Sequence, residues 1–328
     1  MLADTSERRG WAIDRRTAAA AERGESAGRQ SPGRMAALVN LSHTRQALLS
    51  VAQPGLGAVL AVGGLPSLRV SLVGSIAAAA GFLAVFALND VLDRRLDAAA
   101  LWVGPGEVAG LDSDTAFERH PLARGDLSLR VSLAWVVALA ALSVVLAYTL
   151  SPVCLLLFGA AVALEIVYCA LRAVTPWKTV VSGVMVGLGG VAGWAAAAPL
   201  SWRALSVFGF LALWQIGGRN IASDLADVES DRSVGVTTVA TVYGPAVAAR
   251  AACVVGFATL ASIVTLPMSG GMLSDLALVA GVFIVAWPGA KLWYCPTSDE
   301  AASYLEWVSL YPAAVLLVAL LPTLFGVL

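Results

Sequence analysis

Val70–Asp97 reads VSLVGSIAAAAGFLAVFALNDVLDRRLD, an apolar run that ends abruptly in Asn89, Asp90, Asp93 and Asp97. The run is long enough to cross a bilayer as a helix, which takes about 20 residues. The three aspartates follow at i, i+3 and i+7, a spacing that places them on one narrow helix face. Like charges stacked this way repel and give the helix no stability. A cation must offset them, and oxygen ligands at this density suit a hard divalent ion, Mg²⁺ above all.

The pattern returns in RNIASDLADVESD, where Asn220, Asp224, Asp227 and Asp231 close another apolar run. Asp90 and Asp224, Asp93 and Asp227, and Asp97 and Asp231 are each 134 residues apart. Two acidic clusters with one internal spacing, each at the end of an apolar run, suggest the two halves of a single site. Duplicated halves are common in multi-span membrane proteins.

Composition agrees. The 328 residues are 59% hydrophobic and 13% charged, with mean hydropathy +0.80. Soluble domains carry about 25% charged residues, so the sequence predicts a multi-pass membrane protein. The net charge of −1 offers no basic surface for nucleic acid. Cys154, Cys169, Cys253 and Cys295 form no CxxC pair and read as small reduced residues, not as metal ligands or a disulfide frame.

Residues 1–44 hold many Arg, Ala, Glu, Ser and Gly but no apolar core of signal-peptide length. They are expected to form a disordered cytoplasmic tail. The domain expected over 45–328 contains nine apolar runs: 46–64, 70–90, 129–149, 152–171, 179–199, 204–222, 244–266, 275–291 and 305–327. In lipid the backbone must satisfy its own hydrogen bonds, so each run reads as a helix. The fold class is therefore all-α, with nine transmembrane helices that divide into two pseudo-repeated four-helix halves and one further helix. Of the 21 Lys and Arg, all but Arg69 and Arg203 fall on one side of this layout. By the positive-inside rule that side, with the N-terminus and both acidic clusters, is cytoplasmic in the cell membrane. Gly183, Gly187, Gly190 and Gly193 recur at three- and four-residue steps, a face for close helix packing. The long insertion at 98–119 reads as either a lid over the site or a surface loop.

Carboxylate-bound Mg²⁺ at a membrane edge points to a phosphate-bearing ligand. Arg119, Arg124, Arg172 and Lys178 share the cytoplasmic loops and can hold phosphoryl oxygens. A molecule with a diphosphate head and a long apolar tail would set its head among these groups and its tail between the helices. Loss of an allylic diphosphate leaves a carbocation, which apolar walls shield from water.

NDVLDRRLD resembles the NDxxDxxxD motif of the UbiA-type intramembrane prenyltransferase superfamily, which includes terpene cyclases. RHPLARGDLS (Arg119–Ser128) resembles its RPLxxGxxS segment, and Tyr168 with Arg172 its YxxxK element. DLADVESD resembles the second Asp-rich motif, and GVTTVATVYG (Gly235–Gly244) the GxxTxAxxxG stretch after it. The resemblance implies nine helices around a cavity. Asn89, Asp90, Asp93 and Asp97, with Asp227 and Asp231, would hold Mg²⁺ and diphosphate. Arg124, Arg172 and Lys178 would assist with the diphosphate. Asp224 would orient or deprotonate an acceptor, and Tyr168 would line the cavity near the nascent cation. The chain departs from the family at Gln53-Pro54, where many members have Arg-Pro or Lys-Pro, and at His120, where Arg is usual.

The loss of the first-helix cation favours a neutral acceptor or none. Two activities therefore stand: transfer of a prenyl group to a lipophilic or aromatic acceptor, or cyclisation of the same diphosphate without an acceptor. A transporter would have little use for six carboxylates at two matched ends. Glu165, inside the fourth run, either pairs with Arg172 or serves the cavity.

Overall fold

The computed structural model describes residues 33–102, 121–268 and 270–325. Expectations that fall on residues 1–32, on Arg119 and His120, on 103–118 of the insertion and on the side chain of Asp97 lie outside the described residues. Every regular element among the described residues is helical. The chain begins with α1 (Arg34–Leu41), α2 (Thr44–Ser50), α3 (Ala52–Val62) and α4 (Leu68–Trp102). It continues through α5 (Leu129–Leu150), α6 (Pro152–Leu171), α7 (Lys178–Ala197) and α8 (Ala204–Leu213). A π-helical stretch, Trp214–Ile221, leads into α9 (Ala222–Ala226), α10 (Val228–Val234) and α11 (Val239–Tyr243). The last third holds α12 (Pro245–Ser262), α13 (Gly271–Gly281), a second π-helical stretch Val282–Ala286, α14 (Trp287–Tyr294), α15 (Ser298–Ser309) and α16 (Tyr311–Phe325).

Among the described residues, seven helical segments are long and apolar enough to span a membrane: Leu68–Arg94, Leu129–Leu150, Pro152–Leu171, Lys178–Ala197, Pro245–Thr265, Gly271–Tyr294 and Ser298–Phe325. The other two apolar runs are helical but interrupted. Run 46–64 divides into α2 and α3 at Val51, and run 204–222 passes from α8 into the π-helical stretch. Outward-facing residues such as Ile76, Val137, Val145 and Leu156 are large, apolar and exposed. A continuous apolar exterior of this kind belongs in lipid rather than water.

Residues 34–44 correct the expectation of a disordered tail through residue 44. Ala37 and Leu41, one turn apart on α1, are fully buried against Ala87, Val91, Leu127 and Val136. That burial repays the ordering of a segment whose composition alone gave no such signal.

The glycines of α7 set the spacing of the bundle. A Cβ at Gly183 would meet Ile216, one at Gly187 would meet Phe208, and one at Gly190 would meet Leu211. On the side toward α3, a Cβ at Gly193 would lie 1.8 Å from the Pro54 carbonyl oxygen, and one at Gly57 2.0 Å from that of Gly190. The α7 backbone thus touches α3 directly, as small-residue faces allow in lipid. Elsewhere the bundle is pinned by side chains: Ser143 Oγ donates to the Ala77 carbonyl (2.9 Å), tying α5 to α4, and Trp214 Nε1 donates to Val308 O (2.7 Å).

Gly193→Ala is expected to cost more than the roughly 1–3 kcal/mol of ordinary overpacking, since the clash is with backbone. Gly159→Ala meets nothing within 4 Å and serves as the control. Thermal unfolding of the purified variants in one detergent checks this: a clear fall in Tm for the first, none for the second.

Candidate active site

The two acidic clusters come to the same end of the bundle on different backbones. α4 is unbroken for 35 residues, roughly 52 Å, so it outlasts a hydrocarbon core of about 30 Å and carries Asn89, Asp90 and Asp93 past its apolar part. The second cluster does not lie on one helix. Asp224 is on α9, Asp227 stands at the break before α10 with φ −97° and ψ 14°, and Asp231 is on α10. The matched sequence spacing therefore produces two different arrangements of carboxylates. Gly235, at φ +76°, ends α10, and Thr238 caps α11 with a reciprocal pair of bonds to Thr241.

Four of the buried acids, Asp90, Asp93, Glu165 and Asp224, are met by specific partners. Asp93 is 4% exposed and pairs with Arg172 from the end of α6. Asp224 Oδ1 accepts from Lys178 Nζ at 2.9 Å, and Lys178 is itself 1% exposed at the start of α7. Lys178 also donates toward the Tyr168 hydroxyl at 3.3 Å, which accepts from Asn220 Nδ2 at 3.2 Å. Asp90 Oδ1 lies 3.2 Å from Nε2 of His43. Glu165 does not take Arg172 as its hydrogen-bonding partner: its Oε1 accepts from Asn89 Nδ2 at 2.8 Å, and Arg172 turns to Asp93. A short polar side chain on α4 satisfies the intramembrane acid, which frees the arginine to bridge toward the first cluster.

Asn89, Tyr168, Arg172, Lys178, Asp224, Asp227 and Asp231 line one polar cavity of about 150 Å³. Asp90 and Asp93 are not among its lining residues; they are engaged by His43 and Arg172. Arg124 lines neither this cavity nor the larger one, because the turn after the insertion pairs it with Asp126 at 2.9 Å. Above the polar cavity lies a second, largely apolar one of about 530 Å³, walled by residues such as Phe82, Phe86, Leu157, Phe158, Met185 and Gly189. Asn89, Tyr168, Asn220 and Ser223 line both. A polar chamber therefore adjoins a greasy one across a shared boundary.

The polar chamber has the donor chemistry of a hard-cation site. Asn220 Oδ1 and Asp224 Oδ2 are buried without a hydrogen-bond partner. Burial, with the Asp224 and Asp227 carboxylates nearby, pushes Asp231 up to about 7, so a cation placed there would favour its charged form. Among the described residues, no three His, Cys, Asp or Glu side chains converge to hold an ion unaided. Mg²⁺ does not need them: it keeps waters, and one or two carboxylates plus substrate phosphate oxygens suffice.

The sequence reading missed His43, whose partner Asp90 is 47 residues away, and the boundary residue Ser223; it named Asn220 within the second acidic stretch but gave it no role of its own. Asn220 had a visible signal, since it opens the second acidic stretch much as Asn89 opens the first. Lys178→Met would strand Asp224 as a buried charge, at an expected cost of about 3–5 kcal/mol. Adding Asp224→Asn should return most of that loss; unfolding of the single and double variants checks it.

With this geometry in view, known proteins show the relationship. The UbiA prenyltransferase family model matches residues 50–311. No curated protein sequence matches the chain directly. The fold is similar to that of a UbiA homolog from Aeropyrum pernix K1, at 20% identity and TM-score 0.67, covering 83% of this chain and 95% of that one. It is also similar to a UbiA homolog from Archaeoglobus fulgidus bound to DMAPP and Mg²⁺, at 17% identity and TM-score 0.61, covering 86% and 98%. A third match is a digeranylgeranylglyceryl phosphate synthase, at 16% identity and TM-score 0.62, covering 87% and 96%. At these identities the solved structures establish likeness of fold, and the family match carries the assignment. This chain belongs to the UbiA prenyltransferase family.

Proposed function

We propose that this protein ionises an isoprenyl diphosphate inside the membrane and transfers the prenyl group to a lipophilic or aromatic acceptor, releasing diphosphate. One observation carries this reading: a carboxylate- and cation-lined chamber adjoins, at Asn89, Tyr168, Asn220 and Ser223, an apolar cavity large enough for a hydrocarbon tail. The Archaeoglobus fulgidus homologues bound to DMAPP or to GPP with Mg²⁺ support the ligand class. We take the fold as nine spans in two halves around the cavity, its polar mouth and N-terminus facing the cytoplasm, as the distribution of Lys and Arg suggests.

In this reading Asn89, Asp90, Asp93, Asp97, Asp227 and Asp231 would hold Mg²⁺ together with the diphosphate. The unpartnered Asn220 and Asp224 oxygens at the same mouth support such a cation. When bound, the metal supplies a Lewis acid that neutralises charge on the departing diphosphate. Arg172 and Lys178 bring positive charge to the same chamber, while Arg119 and Arg124 would serve the diphosphate from the loop side. Arg172 holds Asp93 in place until phosphate oxygens compete for the guanidinium. The Tyr168 ring, with Lys178 Nζ 5.1 Å from its centroid, lies where the boundary between the chambers would place the reacting carbon. Asp224 would orient or deprotonate the acceptor. The apolar wall excludes water from the cation.

Cyclisation without an acceptor is the second reading. Phe82 and Phe86, 6.4 Å apart between ring centroids, line the apolar cavity one and two turns above Asn89 and could face a migrating cation.

Membranes containing the protein, given geranyl, farnesyl or geranylgeranyl diphosphate with Mg²⁺, separate the readings. A product that forms only with an added aromatic or lipid acceptor supports transfer; cyclic hydrocarbons or alcohols without one support cyclisation. Asp93→Ala and Asp227→Ala are each expected to lower turnover at least about 100-fold, the scale on which electrostatic stabilisation acts, and EDTA should do the same. Wild-type rates in both variants would remove the carboxylates from the metal site.

A further inference from the structure

Gln53 is 4% exposed, lines the apolar cavity, and its Oε1 accepts no hydrogen bond. It stands far from the carboxylates. Ten residues of nearly continuous helix separate it from His43, about 15 Å of rise, and the neighbouring Pro54 backbone is held against Gly193, fifteen residues along α7 from Lys178. Gln46, Ser50 and Gln53, at i, i+4 and i+7, all line the cavity and form a polar stripe along an otherwise apolar wall. Ser50 Oγ already donates to the Gln46 carbonyl at 2.9 Å. Glu165 and Arg219, the acid and the arginine lining this cavity, adjoin Asn89 and Asn220 at its other end. The upper wall thus offers neutral hydrogen bonding and no charge. A buried amide left unpaired costs stability, and a leucine or methionine would fill the same space without that cost.

We infer that Gln53 recognises a neutral hydroxyl group, of a phenol or alcohol, on the ligand that fills the apolar cavity. The ligand donates its O–H to Gln53 Oε1, and the lack of a cation on this wall turns away carboxylates. This rests on the function proposed above, with the acceptor sharing the apolar cavity with the prenyl tail, but its test reads binding alone. Purified protein in lipid nanodiscs is titrated with 4-octylphenol, octylbenzene and 4-octylbenzoate, with tryptophan fluorescence as the readout. Wild type is expected to bind the phenol about ten-fold more tightly than the hydrocarbon, the worth of one hydrogen bond. Gln53→Leu and Gln53→Met should abolish that preference while unfolding at temperatures no lower than wild type. Gln53→Arg should move the preference to the benzoate. Equal binding of phenol and hydrocarbon by wild type would mean that water alone meets the amide. A phenol preference surviving in both apolar variants would place the hydroxyl elsewhere. Either result overturns the inference. Binding of pyrophosphate with Mg²⁺, measured on the same samples, reports on the diphosphate chamber separately, so failure there leaves the hydroxyl preference standing.

Discussion

Carboxylates taken out of water at the edge of an apolar bundle must be met by positive charge or by donors, and this requirement organises the molecule. Asp93 is met by Arg172, Asp224 by Lys178, Asp90 by His43 and Glu165 by Asn89. Each contact joins elements distant in the chain, so satisfying the acids also draws α4, the end of α6, the start of α7 and α9 to one place. A buried pair contributes little net stability over an apolar replacement, yet removing one member is costly. Such pairs define where the helix ends must meet more than they strengthen the fold.

The same requirement prepares the site for a ligand. Cations that neutralise the acids are also the groups a diphosphate would recruit, and the oxygens still unpartnered, on Asn220 and Asp224, face the same mouth. The electrostatic problem at the mouth is thus only partly solved by the protein itself. Above it the problem reverses: the wall is largely apolar, and the unsatisfied amide oxygen of Gln53 stands out against it.

Close backbone packing makes room for both chambers. The glycines of α7 bring that helix onto α3 on one side and onto α8 and the π-helical stretch on the other. The π-helical geometry ends next to Asn220, so the helix rewinds just before the second acidic cluster. π-helical insertions often mark functional sites, where they re-aim side chains; here Asn220 and Asp224 are the residues so presented.

The sequence by itself determined the membrane class, the helical runs, and most of the residues that share the polar chamber. Those properties depend on hydropathy and short-range spacing, which one chain displays openly. It also marked the α7 glycines as a packing face, which the contacts with Pro54, Phe208 and Leu211 bear out. Only the tertiary structure decided which partner serves which acid, because His43 with Asp90 and Arg172 with Asp93 are contacts between distant parts of the chain that no local pattern encodes. It paired Arg124 with Asp126, and it turned Glu165 toward Asn89. It also gave the two matched acidic clusters unlike backbones, since equal spacing fixes a helix face only where the helix continues, and at Asp227 it does not.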